Sequence, residues 1–391
     1  MSADAPRMDL RLAALVIGVI LSTVDSSALN LALPSLAAHF GTDAAAVQGA
    51  ASLYLAGSAI SFLPISSIAS RYGTVKVYRI SLLAFAIISQ FLAFSPNLHT
   101  LLVLRFLQGI AGAGIVGLVP GLTAATFKVH RGWALGMISA SVAAGTLIGP
   151  PLGGFLVEWF GWRSIFYINL PFGLLALLLS SRLDELRGVG MLEGLRRAVH
   201  APRFILALLS TVCFFIQSFG TNLLWPFYLE AGGMTPARVG LMMLAPPIIL
   251  MAAGPLCGRF SDSVGYDRIS WLGSMVLMSA ALLQGFSGSV AIGLVGIGLG
   301  RALFQAANNA AVLSQAPEDT GPVASGLLSI ARVSGQALKS LLAGTMWAHL
   351  EHGGSRQAFL SINLVLGGIA ALAGMLIIGR GQWGKKRPAS A

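Results

Sequence analysis

Residues 11–33 read RLAALVIGVILSTVDSSALNLAL, an apolar run that contains one carboxylate, Asp25. At the helical rise of 1.5 Å per residue, such a run is long enough to cross a hydrocarbon core of about 30 Å. Asp25 is also the only one of the 14 acidic residues that lies well inside a hydrophobic run. The stretch therefore predicts a membrane-spanning helix with a charged group in its interior.

The composition of the whole chain supports the same class of protein. Of 391 residues, 55% are hydrophobic and only 10% are charged, whereas a soluble domain carries roughly a quarter charged residues. The mean hydropathy is +0.80. Glycine is abundant, with 47 residues, which suits close packing of helices in lipid. These values exclude a soluble protein.

Runs like the first one recur along the chain and predict an all-α polytopic membrane protein. We predict twelve transmembrane helices, at 11–33, 45–69, 76–95, 99–126, 132–159, 163–182, 204–228, 236–258, 268–288, 290–315, 323–349 and 356–380. The longest polar stretch, 182–203, separates six helices from six. It predicts a short amphipathic helix on the cytoplasmic face, because Leu192, Leu195 and Val199 recur at helical spacing. We therefore divide the chain into a bundle over 1–182, a linker over 183–203 and a second bundle over 204–391.

The basic residues predict the orientation. Of the 25 Lys and Arg, 18 fall on one side of this map: Arg7, Arg11, Arg71, Lys76, Arg79, Lys128, Arg131, Arg182, Arg187, Arg196, Arg197, Arg203, Arg259, Arg268, Arg380, Lys385, Lys386 and Arg387. Three fall on the other side, namely Arg163, Arg238 and Arg356. Because basic loops stay in the cytoplasm, both termini are expected there. The same rule accounts for the net charge of +11 without nucleic-acid binding. The first run lacks a small-residue cleavage pattern, so we do not expect a signal peptide.

The two bundles resemble each other internally. Residues 101–114 read LLVLRFLQGIAGAG and residues 296–310 read GIGLGRALFQAANNA, each with an Arg followed by a Gln and small residues. Residues 66–79, SSIASRYGTVKVYR, correspond to 258–268, GRFSDSVGYDR. Corresponding features in two halves predict a duplicated six-helix unit, which is typical of secondary transporters.

With these motifs the chain resembles the major facilitator superfamily, and within it the drug:proton antiporters. Residues 21–36, LSTVDSSALNLALPSL, are similar to the signature Leu-Asp-x-Thr-x-x-Asn-x-Ala-Leu-Pro of that group. The fifth predicted helix fits the antiporter motif Gly-x-x-x-Gly-Pro-x-x-Gly-Gly, with Gly145, Gly149, Pro150, Gly153 and Gly154. Residues 161–173 and 224–247 look most like the fourteen-helix exporters. The resemblance implies two pseudo-symmetric bundles and transport driven by the proton gradient, without another cofactor.

Two features depart from that family pattern. The linker is too short for the two additional central helices of the fourteen-helix exporters. The cytoplasmic gating motif Gly-x-Leu-Ala-Asp-Arg-x-Gly is also degraded in the first half, where Ser66 and Ser70 stand for its Gly and Asp. The matching gating residues are Arg71, Gly73, Gly258, Asp262 and Gly265. We therefore expect the first half to lack its part of the cytoplasmic latch.

Asp25 and Arg105 are the predicted proton-coupling residues. Asp25 lies eight residues before Leu33, and Arg105 lies seven after Leu98, which places both at a similar depth and makes a contact possible. Burial favours a neutral carboxyl group, whereas a nearby arginine favours the carboxylate. Helix motion that changes their separation would therefore bind and release a proton. The alternative is a static ion pair that holds two helices together.

The motif of the fifth helix has a packing interpretation as well. Glycines at every fourth position leave one face open to close approach by another helix, and the two prolines remove backbone donors and predict a bend. Packing is physically sufficient to explain the motif. Only the family resemblance adds that the bend blocks proton leak and marks exporters.

Other polar residues inside the predicted helices are candidates for substrate binding. Arg301, Arg332 and Lys339 add three cations in the second half, which favours an anionic or zwitterionic substrate. Equally, Lys339 could be deprotonated or solvated by water. Aromatic residues beside amides around residues 214–225 could line a cavity, although each amide could instead bond a neighbouring helix. The candidate substrate residues are Asn30, Gln108, Gln217, Asn222, Arg301, Gln305, Asn308 and Lys339.

The sequence carries no nucleotide-binding loop, nucleophile arrangement or metal-ligand cluster, and Cys213 and Cys257 do not suggest a disulfide. We therefore expect a transporter and not an enzyme. The leading interpretation is proton-coupled export of a small organic compound or drug, by a monomer in a bacterial inner membrane. The alternatives are an importer of a small organic anion and a transport-inactive membrane sensor or assembly subunit.

Overall fold

The computed structural model describes residues 8–231, 233–287, 289–350 and 355–381, and within these residues all regular structure is helical. The first half contains α1 (Leu10–Phe40), α2 (Ala44–Tyr72), α3 (Thr74–Ala93), α4 (Leu98–Thr126), α5 (Arg131–Phe160), α6 (Ser164–Tyr167) and α7 (Asn169–Leu179), followed by a 3-10 turn at Ser180–Arg182. The linker contains α8 (Met191–Val199). The second half contains α9 (Pro202–Ala231), α10 (Pro236–Met242), α11 (Ala245–Val264), α12 (Tyr266–Ser287), α13 (Val290–Gln315), α14 (Gly321–Leu350) and α15 (Ser355–Arg380).

The all-α prediction is confirmed, and each of the twelve predicted ranges coincides with a helix or a pair of helices. Within the described residues, nine segments are long and apolar enough to cross a membrane, with α6 joined to α7 and most of α10 joined to α11. A membrane protein with many spans is therefore supported, while the number twelve stays a prediction.

The first helix is longer than its hydrophobic pattern predicts. The predicted helix ends at residue 33, but α1 continues through Pro34 to Phe40 and stops at Gly41. Gly41 adopts φ 63°, and its N–H donates to the Ala37 carbonyl, a conformation that a residue without Cβ adopts at low cost. Asp25 consequently lies at the midpoint of α1, fifteen residues from each end.

The linker helix α8 confirms the predicted short helix between the halves. It is bent by 92° relative to the start of α9, so it runs across the bundle axis. Leu192 and Val199 are exposed, whereas Ala198 is buried. The hydrophobic spacing thus predicted the helix correctly but did not show which of its residues pack against the bundle.

The glycine face of α5 packs against α1, the helix that carries Asp25. Gly145 lies against Thr23, Gly149 against Ser27 and Gly153 against Ala28, and in each case an added Cβ would overlap a neighbouring atom. The Ser27 hydroxyl also donates to the Gly145 carbonyl at 3.1 Å. The predicted close approach is therefore confirmed, and its partner is α1.

The two halves meet at the ends that we predict to be cytoplasmic. On one side α5 and α11 come so close that backbone atoms fill the space beside Gly132 and Gly258. On the other side the Ser325 hydroxyl of α14 donates to the Gly117 carbonyl and accepts from the Gly121 N–H of α4, at 2.5 and 3.0 Å. The described hydrogen bonds between the halves lie at this end, so the side that we predict to be cytoplasmic is closed in this conformation.

Adjacent glycines of the α5 motif allow the packing role to be tested. A methyl group at Gly153 would lie 2.8 Å from the Ala28 Cα, whereas one at Gly154 has nothing within 4 Å. We expect Gly153→Ala to lower the free energy of unfolding by about 1–3 kcal/mol, because α1 must move away from α5. Thermal unfolding in detergent, followed by tryptophan fluorescence, measures the change.

The matched control is Gly154→Ala, which alters the same motif by the same methyl group and should leave the melting temperature near that of the native protein. Equal effects of the two substitutions would contradict the packing account.

Candidate functional site

Asp25 and Arg105 form an ion pair in the interior of the first half. The Arg105 Nη1 lies 2.8 Å from the Asp25 Oδ2, and each residue is 1% exposed. The contact that the sequence made possible is therefore present. A charge pair at this depth is stable only where further hydrogen bonds satisfy the remaining polar atoms.

Three neutral side chains, those of Ser89, Gln108 and Asn169, complete this site. We call the whole set the Arg105 cluster: Asp25, Ser89, Arg105, Gln108 and Asn169. The amides of Asn169 and Gln108 both donate to the Asp25 Oδ1, at 2.6 and 3.3 Å. The same two amides donate to the Ser89 hydroxyl, at 3.1 and 2.8 Å. The Gln108 carbonyl oxygen accepts from Arg105 at 2.5 Å. The cluster thus joins α1, α3, α4 and α7.

Aromatic rings enclose the guanidinium group of Arg105. Its Cζ lies 4.7 Å from the centroid of the Tyr54 ring, and Nε donates to the Ala50 carbonyl at 3.3 Å. The Tyr54 hydroxyl is held by a 2.9 Å hydrogen bond with Ser22. A cation over a desolvated ring face gains electrostatic stabilisation, so Arg105 has favourable contacts besides the carboxylate.

Sequence reasoning missed three members of this environment. Asn169 lies in the segment 161–173 that supported the family resemblance, and an amide just before Pro171 inside an apolar run was a usable signal. Ser89 and Tyr54 gave no such signal, since serines and tyrosines are common in membrane helices. Gln108, in contrast, was proposed to touch substrate, and the structure places it against Asp25.

Two substrate candidates of the second half point into their own bundle. Gln217 is fully buried and donates to the Leu277 carbonyl at 3.3 Å. Asn308 accepts from Arg380 at 2.7 Å and donates to Thr211 at 2.8 Å. A role in binding substrate stays a prediction for both, and in this conformation each contacts neighbouring helices of the same half.

Arg380 is the centre of a second polar site, the Arg380 cluster: Ser210, Asp267, Asn308 and Arg380. Its Nε donates to Asp267 at 2.9 Å, and its Nη1 donates to Ser210 at 3.1 Å as well as to Asn308. The side chain of Arg380 is fully buried, although the sequence placed it at the cytoplasmic end of the last predicted helix. The arginine at the end of α15 therefore ties α9, α12 and α13 together.

The remaining substrate candidates are distributed over several environments. Arg301 and Gln305 lie one turn apart on α13 and are both buried. Asn30 is exposed on α1. Arg332, which was predicted only as a further cation in the second half, is partly buried and donates to Ser329 at 2.9 Å. Asn222 and Lys339 lie outside the residues whose side chains the structure describes.

The gating motif of the second half makes a contact across the halves. The Asp262 carboxylate accepts from the backbone N–H groups of Gly132 and Trp133, at 2.7 and 3.0 Å. It therefore occupies the start of α5, where a negative charge interacts favourably with the helix dipole. The Tyr266 hydroxyl donates to the same carboxylate at 3.0 Å.

The gating motif of the first half has the same backbone conformation as its counterpart in the second half. Its side chains do not reproduce the contact that Asp262 makes across the halves. Gly73 and Gly265 have φ 110° and 108°, values that favour glycine at both turns. Ser70, which replaces the aspartate, is buried and donates to the Ser66 carbonyl of its own helix at 2.9 Å. Arg71 lies over its neighbour Tyr72, 5.5 Å from the ring centroid. The Ser70 side chain thus bonds within its own helix, which agrees with the predicted loss of this half of the latch.

A family model identifies the fold. The model of the Major Facilitator Superfamily matches residues 15–207 and, a second time, residues 207–390. The chain belongs to this superfamily. It is therefore a multi-pass membrane transporter and not an enzyme, and the motifs of α1, α4 and α5 can be interpreted as transporter motifs.

Several named proteins are similar to this superfamily member. The riboflavin transporter RibZ of Clostridioides difficile is 27% identical over 77% of this chain and 80% of its own length. The multidrug resistance protein Stp of Mycobacterium tuberculosis is 28% identical over 88% of this chain and 78% of its own. The human organic anion transporter MFSD10 has the same fold, with a TM-score of 0.75, 18% identity, and coverage of 95% of this chain and all of that one.

The contact between Asp262 and α5 predicts a shift in the conformational equilibrium of this transporter. In Asp262→Asn the side chain loses its charge and one of its two acceptors, so α5 and α11 should separate more readily. We expect the population that is open at the cytoplasmic end to rise about fivefold. Spin labels at the exposed residues Val129 and Ser314, on opposite halves, report the distance by pulsed electron paramagnetic resonance.

The labels require that the two free cysteines, Cys213 and Cys257, are first replaced by serine. As a control, Asp184→Asn removes an exposed carboxylate of the linker and should leave the distance distribution as it was. An Asp262→Asn protein with the native distribution would show that this contact does not hold the halves together.

Proposed function

We propose that this chain exports a small organic compound or drug in exchange for protons, by alternating access. The observation that supports this proposal most directly is the Arg105 cluster, in which a buried carboxylate is bonded to an arginine of another helix. A carboxylate in that position can change its protonation state when the two helices move, because the arginine stabilises only the charged form. The proton gradient is then the energy source.

Export agrees with the names of relatives and with the α5 motif. One relative is named a multidrug resistance protein and another a tetracenomycin C resistance and export protein. In this chain the motif glycines hold α1, so the helix that carries the proton site is packed directly on the helix that carries the exporter motif. Movement of α5 between conformations would therefore move Asp25.

Import of a small organic anion is the second candidate. Arg301, Arg332 and Lys339 place cations in the second half, and another relative is named a riboflavin transporter. An importer would have the same fold and would use these cations to bind the negative charge of its substrate. Substrate tests should therefore include both a lipophilic cation and a flavin.

We also propose how the two halves are arranged in the membrane. Two bundles of six transmembrane helices, over 1–182 and 204–391, are joined by a cytoplasmic linker over 183–203, with both termini in the cytoplasm. The repeated family match, which changes over at residue 207, supports this division. We propose a monomer in a bacterial inner membrane, in contact with lipid, protons and one small substrate.

Everted membrane vesicles test the coupling. Respiration acidifies the vesicle interior, and an acridine dye reports the gradient. Addition of ethidium or riboflavin should partly collapse the gradient with the native protein, and Asp25→Asn should abolish this response because the amide binds no proton. Exchange of labelled substrate across the membrane should persist in Asp25→Asn, since exchange needs no net proton movement.

Glu158→Gln is the matched control, because it removes an exposed carboxylate near the end of α5 and should leave the response intact. Substrate-driven collapse that persists in Asp25→Asn would leave only the static ion-pair interpretation for Asp25.

A further inference from the structure

The described polar neighbours of Asp25 all act as donors to it. Arg105 donates to Oδ2, and the amides of Gln108 and Asn169 donate to Oδ1. A carboxylate offers only acceptors and matches this arrangement, whereas a neutral carboxyl group carries an O–H that needs an acceptor of its own. The cluster as it stands is therefore built for the ionised form of Asp25.

Ser89 fixes the orientation of the two amides. Its hydroxyl proton is directed to the Phe85 carbonyl at 2.7 Å, so its oxygen can only accept from Gln108 and Asn169. An amide that turned its carbonyl oxygen toward Asp25 would lose the bond to Ser89. The donor orientation is thus maintained by a residue that does not itself touch Asp25.

The members of the cluster differ in the contacts that they retain when Asp25 becomes neutral. Arg105 keeps the Gln108 carbonyl oxygen, the Ala50 carbonyl and the face of Tyr54. The Asn169 amide group has its described bonds to Asp25 and Ser89. Asn169 must therefore rotate before its carbonyl oxygen can accept a hydrogen bond from the O–H of neutral Asp25. It lies at the first position of α7, directly after the break from α6.

We propose that Asn169 is a positioning residue that links the protonation of Asp25 to movement at the junction between α6 and α7. This role rests on the proposed function of Asp25 as the proton site and extends it to a residue of another helix. When the carboxyl group is charged, the amide holds α7 against α1. When it is neutral, the amide turns and the contact is released.

The titratable or charged groups that face Asp25 are few among the described residues. Arg105 faces it from α4 and Tyr54 lies nearby on α2. The helices α3 and α7 present the neutral Ser89 and Asn169, and α5 presents glycines to the same face of α1. A change at Asn169 therefore alters the proton affinity of Asp25 without introducing another charge.

The substitution Asn169→Leu keeps the size of the side chain and removes its donor. Because the ionised carboxyl group loses a hydrogen bond, the midpoint of its protonation should move to higher pH by about one unit. Infrared spectroscopy of the reconstituted protein follows the C=O band of the protonated carboxyl group against pH, and the Asp25→Asn protein identifies that band.

Asn363 of α15 provides the matched control. It is a buried asparagine on the corresponding helix of the second half, bonded to Gln284 and to the Phe359 carbonyl and remote from any carboxylate contact described here. Asn363→Leu should lower stability without moving the midpoint. Equal midpoints for Asn169→Leu and the native protein overturn the role of Asn169. The absence of any band that depends on Asp25 would instead remove the proposed proton site.

The linker lies beside the degraded gating motif of the first half. The Glu185 carboxylate accepts from the N–H groups of Val75 and Lys76 at the start of α3, at 2.8 and 3.1 Å. The Gly188 N–H donates to the carbonyl of Ser70, the residue that replaces the motif aspartate, at 3.1 Å. This part of the linker is bound to the first half.

The next residues of the linker are bound to the second half. The Val189 N–H donates at 2.8 Å to the carbonyl of Asp319, in the turn between α13 and α14. Gly194 of α8 packs against Val323 near the start of α14. Adjacent residues, Gly188 and Val189, therefore bond to opposite halves, and separation of the halves must break one of the two sets of bonds.

We infer that the linker segment 185–194 acts as a second cytoplasmic latch, across α2 and α14, in place of the aspartate that Ser70 replaces. Asp262 closes the opposite side, across α5 and α11, with a side chain. On the Ser70 side the backbone and Glu185 of the linker supply the contacts. Both latches are closed in the same conformation.

Two nearby glycines test this role. An added methyl group at Gly188 would overlap the Asp319 carbonyl oxygen, whereas one at Gly190 has nothing within 4 Å, and neither glycine has positive φ. Gly188→Ala should raise the population open at the cytoplasmic end roughly fivefold, through loss of about one hydrogen bond. The spin labels at Val129 and Ser314 measure it.

Gly190→Ala should match the native distance distribution, and thermal unfolding confirms that both variants are folded. Identical distributions for the two alanine variants would show that the linker does not latch the halves.

Discussion

The ion pair between Asp25 and Arg105 is the interaction around which the first half is organised. Removing both charges from water costs several kcal/mol for each ion, and attraction offsets this only where the remaining polar atoms are satisfied. Here two amides, a serine, a backbone carbonyl and an aromatic face do so. They come from α2, α3, α4 and α7, so keeping the pair buried requires those helices to stay in register. The glycine face of α5 brings α1 close enough to complete the arrangement.

Each half uses a buried arginine to join the same set of helices, although Arg105 lies on the fourth span of its half and Arg380 on the sixth span of the other. The Arg105 cluster joins the first, third, fourth and sixth spans of its half, and the Arg380 cluster joins the first, third, fourth and sixth spans of the other. Arg105 lies deep in the bundle, whereas Arg380 lies at the predicted cytoplasmic end. A duplicated unit thus keeps one way of tying four helices together, but only the first half places a fully buried carboxylate in it. This difference is why the proton site is proposed for the first half.

Closure at the end that we predict to be cytoplasmic is also unequal on its two sides. Between α5 and α11 the carboxylate of Asp262 binds a helix start, and glycines allow the backbones to touch. Between α2 and α14 the motif side chain has been lost, and the linker lies across the gap instead. A side chain can release by a change of rotamer. A bound linker must move as a segment, so the side of α2 and α14 is expected to open with displacement of the chain that joins the halves.

The sequence by itself determined the class of protein, the positions of the helices, the buried carboxylate and its arginine, and the close face of α5. These follow from hydropathy, from the rarity of charge in a membrane span and from glycine spacing, all of which are local. Local signals also misplaced the end of α1, because the helix continues beyond the apolar run, through Pro34, as far as the cap at Gly41. Only the tertiary structure decided that Asn169 and Ser89 complete the Arg105 cluster, that Gln217 and Asn308 face their own bundle, and that the linker bridges the halves. In lipid both faces of a helix are apolar, so hydrophobic periodicity does not mark which face meets a neighbour.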